Sequence, residues 1–102
     1  MIPGLTTKLS ETNVAAAASI FAKSDIVRVT DTTSTTQLTT IVPGAAGFSQ
    51  IICLQNKSGA SITVVTTGNV SGGGTFTILT QEMAVLVFSK LEQKWSVCHR
   101  GT

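Results

Sequence analysis

Hydrophobic and polar positions alternate along much of the chain after residue 24, whereas the first 24 residues show no such alternation. Short runs of Val, Ile, Thr and Phe, which suit a pleated and half-buried surface, recur with turn residues between them. They predict strands at residues 26–30, 37–42, 49–56, 61–67, 75–79, 84–90 and 94–99. One strand and turn in roughly 8 to 12 residues is typical of an all-β sandwich or barrel.

The turn residues support this prediction. Residues 43–44 (PG), 68–69 (GN) and 72–74 (GGG) supply the restricted or positive backbone angles that chain reversals require. Because every connection is short, we expect most neighbouring strands to pair antiparallel. The predicted fold is therefore a small antiparallel β-sandwich or barrel, jelly-roll-like in its connections.

The Ala-rich first segment predicts a separate organisation. We interpret residues 1–24 as an N-terminal arm and residues 25–102 as the β-sandwich body. Ser10 followed by Glu11 is suited to capping a short helix, so the arm is expected to be either extended or briefly helical. Removal of residues 1–21 is expected to leave the body folded.

Two segments within the predicted strands, 51–54 (IICL) and 84–88 (AVLVF), are apolar on both faces. A strand of this kind needs cover on both sides, and a domain of this size has little with which to cover the second side. An interface between copies of the chain would cover it, as would the arm or a long loop over a two-layer sandwich. The first alternative predicts self-association through Ile52, Leu54, Val85, Val87 and Phe88.

The amino-acid composition argues against some classes of partner. Charged residues make up 12% of the chain and hydrophobic residues 42%, so much of the surface is uncharged and favours contact with a partner. The Lys and Arg residues are scattered, with a net charge of +2, which argues against a nucleic acid as partner. The longest apolar run, residues 14–22, is far shorter than the roughly 20 residues that span a bilayer, so no membrane partner is predicted.

Candidate catalytic chemistry is sparse. His99 is the only histidine and lies near the end of the chain, where a general base is poorly positioned. Cys53 and Cys98 are too far apart in the sequence for a recognisable zinc motif; we expect two free thiols, with a single disulfide as the alternative. The acidic residues mark strand ends and turns rather than a catalytic pair. The sequence predicts no enzyme and no cofactor.

Several segments together resemble a known kind of module. These are residues 26–30 (IVRVT), 39–44 (TTIVPG), 47–52 (GFSQII), 66–70 (TTGNV), 84–88 (AVLVF) and 94–95 (KW). Their order between residues 25 and 97 resembles the β-structured modules of bacteriophage virion proteins, in tail fibres and on capsid surfaces. The resemblance implies a rigid module, commonly trimeric, that binds copies of itself and the shell or fibre beneath.

Within this class, a short chain with one arm and one body favours a capsid decoration (cement) protein over a fibre. The expected protein is a homo-oligomer, with a trimer favoured, made in the host cytoplasm and located on the capsid surface of the virion. Its arm would contact the major capsid protein through Leu5, Leu9, Val14, Ile20 and Phe21.

The alternative function is a fibre or knob domain that binds a host receptor or glycan. Its contact surface would be the Thr-rich tract 30–40 and the loop 68–74. Trp95 lies in an alternating strand, which favours a core position over stacking on a sugar.

Overall fold

The computed structural model describes residues 9–30, 36–45, 47–72 and 74–101, with side chains up to Cys98. Every regular element in these ranges is a strand, which confirms the all-β prediction. The strands are β1 (Glu11–Ala15), β2 (Ser19–Ala22), β3 (Ile26–Thr30), β4 (Thr36–Leu38), β5 (Thr40–Pro43), β6 (Gln50–Asn56), β7 (Ile62–Val64), β8 (Val70–Ser71), β9 (Phe76–Ile78), β10 (Met83–Ser89) and β11 (Lys94–Gly101).

These strands form three sheets. The central sheet has the order β1-β3-β6-β10-β11-β8, the second consists of β2 and β5, and the third has the order β4-β7-β9. The sheets surround a single cluster of buried side chains. Their arrangement is solenoid-like rather than a clear sandwich or barrel.

The prediction of mostly antiparallel pairing is wrong, because the sheets are mixed and five of the eight pairings among the described strands are parallel. Among the described strands, β1–β3, β3–β6, β2–β5, β4–β7 and β8–β11 pair parallel, whereas β6–β10, β10–β11 and β7–β9 pair antiparallel. The reason is that several short connections lead to a strand in a different sheet. The chain leaves β1 for β2 in the second sheet and then returns to β3 beside β1, running in the same direction.

The core is built on the central sheet. Phe88 and Trp95 are directly opposite each other on β10 and β11, with ring centroids 5.1 Å apart. Trp95 is fully buried, and its indole Nε1 donates a hydrogen bond of 2.8 Å to the Ile41 carbonyl, which confirms the predicted core position. This bond satisfies the indole N–H and links the central sheet to β5.

The described part of the segment predicted as an arm is built into the sheets. Residues 11–15 extend the central sheet as β1, and residues 19–22 form β2 beside β5. Ile20 and Ala22 lie in the core, and the Ala18 carbonyl accepts hydrogen bonds from the N–H groups of Thr39 and Thr40 at 2.8 and 3.1 Å. The segment is extended and not helical, and removal of residues 1–21 would take away β1, most of β2 and part of the core.

Residues 68–69, where a chain reversal is expected, join two sheets. Asn69 accepts a hydrogen bond from the Ile41 N–H at 2.9 Å and donates one to the Ile41 carbonyl at 2.6 Å. The Asn69 carbonyl in turn accepts from the Trp95 N–H at 2.8 Å. The residue before Asn69 is Gly68, and a Cβ at that position would overlap the Thr39 carbonyl oxygen. Asn69 thus links the two strands, its side chain bonded to β5 and its main-chain carbonyl to β11.

Candidate interaction surface

The outer face of the central sheet carries an apolar stripe. Side chains alternate across β6 and β10, so that one set fills the core and the other points away from it. Ile51 is 62% exposed and Met83 is also exposed, while the others in the outward set are half-buried. We call this set the outer stripe; it consists of Ile51, Cys53, Met83, Val85 and Val87.

Strand register holds the outer stripe together. Cys53 is opposite Val85 and Ile51 is opposite Val87 across the β6–β10 pairing. Cys53 also approaches Met83, with Sγ and Sδ 3.4 Å apart. On the β3 side, Ile26 and Leu9 line a shallow depression that continues this surface. The stripe is therefore a contiguous apolar area and not a set of isolated exposed side chains.

Polar residues border the stripe on the neighbouring strands. Asn13 on β1, Arg28 on β3 and Gln55 on β6 share one row of the sheet, which continues through Met83 on β10 to Gly101 on β11. Another row runs from the exposed Glu11 through Ile26, Cys53 and Val85 to position 99 on β11. An apolar centre with a polar rim is typical of protein–protein contact surfaces.

The thiol in the stripe is poorly suited to nucleophilic chemistry. Burial raises the pKa of Cys53, and a hydrogen bond with Gln55 opposes this shift only in part. The thiolate is the reactive form of cysteine, so a raised pKa lowers reactivity. Cys53 and Cys98 are both free, and Cys98 is exposed. Cys53 contributes apolar contact area at the centre of the stripe.

Only part of the predicted self-association set lies on this face. Val85 and Val87 belong to the outer stripe. Ile52, Leu54 and Phe88 are buried in the core of the same chain and have no free surface for another copy. The predicted set did not include Ile51, Cys53 and Met83, because strands that are apolar on both faces do not show which face points inward.

Of the predicted capsid-contact residues, some are exposed in the structure and others are buried. Leu5 lies outside the described residues. Leu9 is 55% exposed, whereas Val14 packs against the core and Ile20 is part of it. Phe21 is 47% exposed on the outer side of β2, directly opposite the exposed Val42 on β5. We call Phe21 and Val42 the Phe21 patch; it lies on a different sheet from the outer stripe.

The carboxylates near these surfaces have structural partners. Asp25 accepts hydrogen bonds from the N–H and the hydroxyl of Ser10 at 3.0 and 3.1 Å, which joins the turn before β3 to the start of β1. Glu82 accepts from the Leu79 N–H at 3.0 Å in the turn before β10. Among the described residues, no three His, Cys, Asp or Glu side chains gather where they could hold a metal ion.

The segments of the alternative, glycan-binding surface lie partly beyond what the structure describes. Residues 31–35 of the Thr-rich tract and residue 73 of the loop are outside the described ranges. The rest of that loop contains β8 and is held by Asn69.

No protein-family model, curated protein or solved structure matches this chain. Within the described ranges, no helix has the length and apolar character needed to cross a bilayer.

Proposed function

We propose that this chain is a non-enzymatic structural protein of a bacteriophage virion, a decoration (cement) protein that self-associates and stabilises the phage head. The observation that carries this proposal is the outer stripe, a contiguous apolar surface on the middle strands of a sheet. The resemblance of residues 25–97 to virion β-modules supports the virion role. In this proposal the protein requires no cofactor and functions on the capsid surface after synthesis in the host cytoplasm.

Burial of the stripe side chains would stabilise contact between copies. Complete burial of a side chain such as Ile or Val contributes about 1.5–3 kcal/mol relative to its exposed state. The stripe side chains are exposed or half-buried in one chain, so each has about 1 kcal/mol still to gain. Their sum, several kcal/mol on each copy, is enough to offset part of the entropic cost of association.

The Phe21 patch provides a second contact surface for the major capsid protein. Because it lies on the β2–β5 sheet and not on the central sheet, an oligomer formed through the outer stripe leaves it available. Each bound copy then adds contact area to the shell, and several copies joined together bind with a higher effective affinity.

The experiment measures occupancy on heads of the phage that encodes the chain, after the heads are stripped of this protein. Purified wild-type protein is added back, and the bound copies are counted after sedimentation. Phe21→Ser is the test variant, and Thr77→Ser, on the exposed side of β9, is the matched control. We expect wild type and Thr77→Ser to bind, and Phe21→Ser to bind at least tenfold more weakly.

Circular dichroism spectra that match wild type at the assay temperature would show that both variants are folded, so that any binding difference arises from the surface. Absence of wild-type binding to the heads would overturn the decoration role. Wild-type binding that Phe21→Ser does not change would overturn the assignment of the Phe21 patch.

A further inference from the structure

We infer that the free edge of β1 binds an extended segment of another protein, which adds to the central sheet as a further strand. The segment carries apolar side chains on one face and a basic side chain on the other. This binding goes beyond the proposed function, which relies on the outer stripe and the Phe21 patch, and it uses a different part of the molecule, the margin of the central sheet.

The backbone of β1 is paired on one side only. The Ile26 N–H donates to the Ser10 carbonyl at 2.9 Å, and the β1–β3 pairing is parallel. In such a pairing, alternate residues of a strand turn their backbone groups toward the neighbour. Every second residue from Ser10 therefore faces β3, whereas Glu11, Asn13 and Ala15 turn their N–H and C=O groups away from it. Among the described strands, none pairs with that side of β1.

The sequence of β1 leaves this edge open to an added strand. The strand, ETNVA, contains neither Pro nor Lys, two residues that commonly protect sheet edges, and its register with β3 has no bulge. Extended peptides bind to edges of this kind, where main-chain hydrogen bonds supply affinity and alternate side chains supply specificity. The three outward N–H groups and three outward C=O groups of β1 can supply those bonds.

The inner side of β1 favours apolar side chains on the added strand. Val14 is half-buried and packs against the core, as does Ala16, which continues the same side of the chain. A small cavity borders Ala16 and is lined further by Ile20 and Leu38. The core is thus incompletely covered at this margin. Apolar side chains beside Val14 and Ala16 would cover it and remove apolar surface from water.

The outer side of the same margin favours a basic side chain. Glu11 and Asp25 are both exposed there. Arg28 lies on β3 opposite Asn13, so the negative charge is concentrated at the Glu11 end of β1. Opposite charges on neighbouring strands stabilise their pairing. The fitting partner is therefore a segment in which apolar and polar residues alternate and a basic residue lies beside Glu11.

The binding experiment uses a synthetic probe and the full chain. The probe is an eight-residue peptide with blocked ends in which Val and Lys alternate, and its binding is followed by fluorescence anisotropy. A peptide of the same composition with all its Val residues adjacent is the control. Because the protein has a net charge of +2, overall attraction does not favour a cationic probe. We expect the alternating peptide to bind at least tenfold more tightly than the control.

Asn13→Pro tests the backbone edge directly. Proline removes the outward N–H at this position and leaves the hydrogen bonds between β1 and β3 in place, so peptide binding should weaken at least tenfold. Asn13→Ala keeps the N–H and is the matched control, with binding within twofold of wild type. Circular dichroism spectra that match wild type establish that both variants are folded.

Two further measurements do not depend on the folding of Asn13→Pro. Glu11→Lys should weaken binding of the Val–Lys peptide two- to fivefold and strengthen binding of a Val–Glu peptide by a similar factor. In wild type, the Val–Lys peptide should slow hydrogen exchange at the amides of Glu11, Asn13 and Ala15. The amides of Thr12 and Val14 face β3 and should change little.

Three results would overturn the inference: no binding of the alternating peptide, unchanged binding by a folded Asn13→Pro variant, or slowed exchange at other amides in place of the three on the edge. A lower mass of Asn13→Pro than of wild type in light scattering would show that the edge joins copies of this chain, which would overturn its assignment to another protein. The proposed function is tested separately, by binding of wild type and Phe21→Ser to phage heads.

Discussion

The neighbouring residues Ile20 and Phe21 on β2 provide a direct test of how the N-terminal segment belongs to the fold. Ile20 is 6% exposed and lies in the core, whereas Phe21 points outward and is about half exposed. Replacement of a buried Ile by Ala costs about 2–5 kcal/mol, because transfer free energy is lost and a cavity remains. Phe21→Ala loses about 1 kcal/mol, the share of a Phe side chain that one chain buries.

Urea unfolding followed by circular dichroism measures both changes. With a denaturant slope of about 1.5 kcal/mol/M, a loss of 3 kcal/mol lowers the midpoint by about 2 M. Domains of this size are stable by only about 5–15 kcal/mol, so Ile20→Ala removes a large fraction of the total. Ile20→Ala should therefore lower the urea midpoint more than Phe21→Ala does, although Phe is the larger side chain. If Ile20→Ala and Phe21→Ala shift the midpoint equally, the segment acts as a loose arm and our account of β2 is wrong.

Two further predictions concern Gly68, which precedes the link between β5 and β11, and the outer stripe. Gly68→Ala should lower the free energy of unfolding by at least 2 kcal/mol, because the added methyl group would overlap the Thr39 carbonyl oxygen and force the backbone apart; an unchanged urea midpoint would contradict this. Cys53 should react with iodoacetamide more slowly than Cys98 at pH 8, since burial raises its pKa and leaves less thiolate below that pKa. Higher protein concentration should slow Cys53 further and leave Cys98 unchanged, as measured by mass spectrometry of the alkylated peptides; equal slowing of both thiols would argue against contact through the stripe.

Local sequence features determined the class of the fold and the location of most strands. The runs at 26–30, 49–56, 84–90 and 94–99 correspond to β3, β6, β10 and β11 within one to two residues at each end. This succeeded because β-branched and aromatic side chains and a two-residue period are properties of a strand itself. The core position of Trp95 followed from the same alternation.

The side of each strand that faces the core required the tertiary structure. Gln55 shares its side of β6 with Ile51 and Cys53, and that polar residue was a signal that this side points outward. Asn56 obscured the signal, since it lies on the opposite side and is fully buried. Its side-chain amide donates to the carbonyls of Ala60 and Ile78 at 2.8 and 2.9 Å, so burial leaves its hydrogen bonds satisfied.

The pairing of the strands was likewise decided by the tertiary structure alone. The segments that became β1 and β2 have no strand-like alternation, and they are extended because β3 and β5 supply their hydrogen-bond partners. Parallel direction followed from a chain that passes between sheets before it returns, a property of the path and not of any single segment. The sequence thus determined that this protein is built of strands and where most of them lie, whereas contacts between residues distant in the chain decided which strands are neighbours and which apolar side chains remain on the surface.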